Sequence, residues 1–171
     1  KKPDIEAILK KCIQTGTDIG LMSESGAPGI ADPGAETVRK AYDLGFTVVP
    51  LVGPSFIFMA LMASGMNGQH FEFVGYLPKE PAQREEEIRR LEQASRTQRK
   101  SIVFIETPFR VQWVFESILR VCNESTRLCL ARDVTLSTEM ITTESVGTWK
   151  KRRMTFRNNE QIVFVLEADN R

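Results

Sequence analysis

Twice in the first third of the chain a β-favouring apolar run breaks into a rigid glycine–proline corner that leads into a helical segment. Residues 18–22 run into Ser23-Glu24-Ser25-Gly26-Ala27-Pro28-Gly29-Ile30-Ala31-Asp32-Pro33-Gly34, and residues 46–51 run into Gly53-Pro54-Ser55. Proline removes backbone freedom and glycine admits close approaches closed to other residues, so both corners are expected to hold fixed shapes. The order strand, loop, helix, strand, loop, helix is that of βαβ units and predicts an α/β fold. In open α/β sheets ligands sit at the carboxyl ends of strands, where both corners fall. Taken alone, the first loop reads equally as an ordinary connection. The second corner adds backbone amides at a helix N-terminus and the Ser55 hydroxyl, and the pair predicts a shared recess for a ligand.

The pattern continues in both directions. Ile5, Ile8, Leu9 and Cys12 are spaced as one face of a helix, residues 35–44 form another that Gly45 ends, and a third runs from the second corner to Ala63. Composition changes after Gly65, which places a lobe boundary between 1–69 and 70–171. Beyond it, strands are expected at 71–76, 101–105, 127–131, 139–146 and 161–167. A charged, mostly exposed helix anchored by Ile88 and Leu91 spans 82–100, and an amphipathic helix spans 111–122.

Several chemistries are disfavoured. A formal charge of +1 over 171 residues gives no global field toward nucleic acid or an anionic membrane, so any polyanion site is a local patch. The apolar stretch at 55–63 is too short to cross a bilayer. Cys12, Cys122 and Cys129 include no CxxC pair, which argues against a disulfide framework or structural zinc and for a reducing cytoplasm. GxGxxG, GxxxxGK[ST] and GxSxG are absent. His70 reads as structural, and Ser23, Ser25 and Ser55 read as capping residues. Glu106 and Arg110 flank a Thr-Pro turn at the end of an apolar strand, and Arg132 with Asp133 follows the next, so local salt bridges and substrate contacts are both open there. The alternating charges of 84–90 read as a solvated face. The basic cluster at 150–153 with Arg157 reads as a hairpin tip that can touch phosphates.

SESGAPGIADPG followed by VVPLVGPS resembles the tetrapyrrole methylase superfamily, especially its branch of ribosomal RNA small-subunit 2'-O-ribose methyltransferase I. FEFVGYLP, IVFIETPFR, LCLARDVT and QIVFVLEAD after SVGTW agree with that branch in order and spacing, so the resemblance covers nearly the whole chain. It implies two α/β lobes, S-adenosylmethionine in the cleft between them, a homodimer, and small ribosomal subunit or its RNA as partner. It also implies that the first lobe is incomplete, because the opening L-Y-L-V-P-T-P-I-G-N of family members has no counterpart in residues 1–20, and that this chain binds the cofactor weakly or not at all and is by itself inactive. By residue-wise matching, Ser25, Gly26, Ala27 and Ile30 meet the cofactor from the first loop, Ser55 and Phe56 from the second, and Ile105 and Val134 on the adenosine side. Glu106 or Asp133 would accept a proton, and Arg110 and Arg132 would hold a phosphate. The branch usually reads S-D-A-G-T-P, E-S-P-H-R and A-R-E-L-T-K, whereas Glu24, Ala27, Phe109, Asp133, Val134 and Leu136 stand at the changed positions here. The alternatives are a methylase of a tetrapyrrole-like small molecule and a non-catalytic S-adenosylmethionine-binding module.

Overall fold

The computed structural model describes residues 4–23, 26–152, 154–157 and 160–169. By packing, the chain divides into two compact units, Lys1–Ser55 and Phe56–Arg171. The division falls after Ser55, ahead of the composition change near residue 70, because the helix that begins at Phe56 lies on the sheet that follows it.

The first unit holds two helices, α1 (Ile5–Thr15) and α2 (Ala35–Asp43). Asp4 caps α1 by accepting from the Ala7 amide at 3.1 Å, and Glu6 pairs with Lys10 one turn on. The strands expected at 18–22 and 46–51 do not form. Residues 18–22 and 47–52 join no ladder, and they make no backbone–backbone hydrogen bond with the described residues. Their apolar side chains face outward: Met22 is 89% exposed and Leu51 88%. A strand is defined by its neighbour, and β-favouring side chains do not substitute for one.

The second unit is a five-stranded sheet covered on both faces. Its elements are α3 (Phe56–Ser64), β1 (Phe71–Tyr76), α4 (Pro81–Gln98), β2 (Ser101–Glu106), a 3-10 turn at Pro108–Arg110, α5 (Val111–Val121), β3 (Arg127–Arg132), β4 (Met140–Ser145), α6 (Val146–Lys151) and β5 (Ile162–Glu167). The strand order is β1-β2-β5-β3-β4. β1 runs parallel to β2, and β5 runs antiparallel to both of its neighbours, β2 and β3. The carboxyl ends of β1, β2 and β3 therefore share one edge of the sheet.

IVFI in β2 and IVFVL in β5 are uninterrupted apolar runs because both faces are covered. Ile102, Phe104, Leu128, Leu130, Ile162, Phe164 and Leu166 point toward α4, α5 and α6, with Phe104 and Phe164 stacked at 5.1 Å. The alternate residues, among them Val103, Ile105, Cys129 and Val165, pack with Ile57, Ala60 and Leu61 of α3. α4 is less solvated than its charges imply. Glu92 is buried and accepts from the Asn123 amide at 2.8 Å, from Asn123 Nδ2 at 2.9 Å and from Thr126 Oγ1. Arg84 is also buried, with its Nε donating to Ser117 Oγ at 3.0 Å. Lys150 and Lys151 end α6 instead of capping a hairpin, and Lys150 pairs with Glu124 while Arg152 pairs with Glu144. Arg153 lies outside the described residues.

Candidate functional site

Within the first unit the two corners meet. Gly26, at φ 111°, sits so close to the second corner that a Cβ there would lie 2.5 Å from the Pro54 carbonyl oxygen and 3.3 Å from the Ser55 Cα. Only glycine fits, since the conformation and the contact each exclude a side chain. The Ile30 amide donates to the Ala27 carbonyl at 3.3 Å, closing the turn through Pro28 and Gly29. Ala27 is half-buried, Ile30 is exposed, and Ser55 is buried directly before α3. Gly26, Ala27, Ile30 and Ser55 thus belong to one doubled corner, while Ser25 and Glu24 lie outside the described residues.

In the second unit the structure brings together the other three residues matched to a cofactor. Ile105 of β2 pairs with Val163 of β5, whose other neighbour is Ala131 of β3. Phe56 and Val134 pack half-buried against this apolar cluster on the α3 face of the sheet. The surface they form is apolar and partly open, the chemistry on which an adenine ring packs.

Side-chain alternation sends Glu106 and Arg132 to the opposite face. Glu106, Ile162 and Arg132 form one cross-strand row, a residue beyond the row of Ile105. The Glu106 carboxylate is buried. Its Oε1 accepts from the Thr107 amide at 2.7 Å and from Thr107 Oγ1 at 3.2 Å, while Oε2 lies 3.1 Å from Arg110 Nη2 without hydrogen-bond alignment. Arg110 Nη2 donates to the carbonyls of Leu77 at 3.0 Å and Pro78 at 2.9 Å. The pair therefore ties the turn after β2 to the loop after β1. Arg132 Nη1 donates to Glu160 Oε1 at 3.2 Å, and its buried Nε has no partner among the described residues. Asp133, at φ 50°, accepts from the Gln161 amide at 3.3 Å and from Thr138 Oγ1 at 2.9 Å. Glu106 and Arg110 come together, whereas Arg132 and Asp133, though adjacent in sequence, bind different partners. Cys122 and Cys129 are buried, and burial raises both thiols above the ordinary cysteine range, which disfavours the reactive thiolate. Among the described residues no group of His, Cys, Asp and Glu side chains forms a metal site.

No family model matches the chain. It is 34% identical over 163 residues to "Ribosomal RNA small subunit methyltransferase I" of Escherichia coli O157:H7, covering 94% of this chain and 55% of that protein. It is 31% identical over 164 residues to the protein of the same name from Vibrio cholerae serotype O1, covering 96% of this chain and 51% of that protein. The chain thus spans about half the length of the curated relatives it matches. Among solved structures it aligns with the methyltransferase CobJ at a TM-score of 0.62 and 19% identity, over 98% of this chain and 72% of that one. It aligns with the cobalt precorrin-4 methyltransferase CbiF at 0.57 and 13% identity, over 97% of this chain and 72% of that one. The chain shares the fold of these methyltransferases. The curated proteins it resembles carry the name ribosomal RNA small subunit methyltransferase I, which the sequence segments lead one to expect.

The structure also carries features that motif matching passed over. Gly75 inside the run FEFVGY marks a β-bulge in β1, a signal readable from sequence because glycine inside a strand often does so. Trp113, on the amphipathic α5, is 57% exposed, and spacing alone does not separate it from a core aromatic. No described helix is long and apolar enough to cross a membrane.

Proposed function

We propose that this protein is a tetrapyrrole methylase that takes part in transfer of a methyl group from S-adenosylmethionine to a ribose 2'-hydroxyl of small-subunit ribosomal RNA. The observation that carries the reading is identity of 31–34% across nearly the whole chain to proteins named for that class of substrate. The doubled corner and the apolar surface of Phe56, Ile105 and Val134 support it, because both suit a ligand held by backbone and flat contacts. In this reading the lobes are 1–69 and 70–171, and the protein is a cytoplasmic homodimer.

S-adenosylmethionine, when bound, supplies an electrophilic methyl carbon open to in-line displacement. The chain's own residues then have to bind, orient and exclude water. Ser25, Gly26, Ala27 and Ile30 bind from the first loop and Ser55 and Phe56 from the second, while Ile105 and Val134 take the adenosine side. Asp133, half-buried at the start of the β3–β4 turn, takes the proton of the acceptor hydroxyl, with Glu106 as the second carboxylate at this edge. Arg110 and Arg132 hold an acceptor phosphate, with Glu106 paired to Arg110.

The deciding experiment offers the protein and methyl-labelled S-adenosylmethionine either undermethylated small ribosomal subunits or a tetrapyrrole. Label in RNA ribose is the expected result. Label in the tetrapyrrole alone moves the protein to small-molecule methylation, and binding of the donor without transfer to either makes it a binding module.

A further inference from the structure

Tyr76 at the carboxyl end of β1 and Trp113 on α5 are exposed rings that cofactor binding and proton transfer leave unused. β1 keeps register with β2 from Phe71 to Phe73 and then slips, so that Tyr76 partners Ile105. Val74 and Gly75 together stand opposite one β2 residue, with Gly75 at φ 72°. In a regular strand Tyr76 would point away from the face that Phe73 occupies, and the extra residue returns it to that face. Tyr76 is left 58% exposed at the strand end. There it lines a shallow, mainly apolar hollow with Lys79, Thr107 and Arg110. Lys79 also lines a second hollow, whose walls include the half-exposed Trp113 and Arg120.

The surface thus reads ring, lysine, ring. Arg110 is fixed by Glu106 and Arg120 pairs with Glu85, whereas Lys79 has no carboxylate partner among the described residues. A base presents a flat apolar face that stacks on an aromatic ring whatever its identity, and each base is joined to the next through a phosphate. Duplex RNA keeps those faces stacked inside itself. We propose that the two hollows seat two successive unpaired nucleotides of the acceptor RNA, one base on Tyr76 and the next on Trp113, with the phosphate between them on Lys79. The proposal rests on the RNA reading above and adds the part of the surface that grips the strand.

Trp149 is 1% exposed, so a ligand-induced change in tryptophan emission reports Trp113. Titration with a short single-stranded oligoribonucleotide should quench that emission to saturation. Tyr76→Leu and Trp113→Leu should each weaken binding by roughly tenfold, the scale of one lost base stack, while Tyr76→Phe binds as wild type. Lys79→Ala should lower the salt dependence of binding by about one phosphate contact. Circular dichroism checks that the variants fold, and S-adenosylmethionine affinity should be unchanged in all four. RNA that binds without altering Trp113 emission, and equally well to both leucine variants, overturns the two-nucleotide track and leaves the RNA reading standing. Equal affinity for a duplex also overturns the track. Failure of wild-type protein to bind either the oligonucleotide or small ribosomal subunits removes the RNA reading, and the track with it.

Discussion

Residues 47–52 of the first unit and β5 of the second are both apolar, yet they end up in opposite physical states. Val163 and Val165 of β5 have a ladder partner on either side and are buried, whereas Val49, Leu51 and Val52 lie exposed and outside any ladder. The difference is in the neighbours. β5 lies between two strands and two helical layers, and the earlier run has no strand beside it among the described residues. Apolar β-branched sequence states a capacity for strand formation, and pairing decides whether the capacity is used.

Hydrogen exchange tests this contrast most severely. Amides of β5 should exchange only through global unfolding, on the order of 5 kcal/mol or more of protection for a stable domain, while those of 47–52 should exchange almost as fast as free peptide. Equal protection in the two segments would mean that the first run is paired after all. Phe164→Ala should cost about 3–5 kcal/mol in urea unfolding, because it empties a stacked position at the centre of the sheet. Gly26→Ala should cost roughly 1–3 kcal/mol and weaken S-adenosylmethionine binding measured by calorimetry, since a Cβ displaces one corner from the other. A variant that binds the donor normally would separate the corners from the cofactor. Leu51→Ala should change stability by about 0.5 kcal/mol or less despite removing as large a side chain as many core substitutions do. A thiol reagent should label Cys12 in the folded protein and spare Cys122 and Cys129 until denaturant is added, as mass spectrometry of the labelled peptides can show.

The second unit was largely legible in the sequence because each of its elements is locally consistent. The runs at 71–76, 101–105, 127–131, 139–146 and 161–167 all became strands, and 82–100 and 111–122 became helices, with ends moved by a residue or two. The buried Glu92 and Arg84 were not legible, since a carboxylate is seen as buried only when Asn123 and Thr126 fold back onto it. α6 escaped notice because one and a half helical turns leave too short a period. The doubled corner was foreseen from glycine and proline alone, and the near-collision of Gly26 with Pro54 supplies its physical reason. Glu106 and Arg110 were legible as a pair, but of the four backbone and hydroxyl groups around them the Leu77 and Pro78 carbonyls arrive with the loop after β1, from far along the chain.

The place of β5 bears on how the protein is made. The half-sheets β1–β2 and β3–β4 share no ladder, and both bond to β5, which follows them in chain order. During translation each half must wait at the ribosome with one apolar edge open until residues 162–167 emerge and close both at once. Such long-range closure folds slowly and leaves nascent chains open to misassociation, so yield in the cell should depend on chaperones and on the pace of synthesis just before that strand.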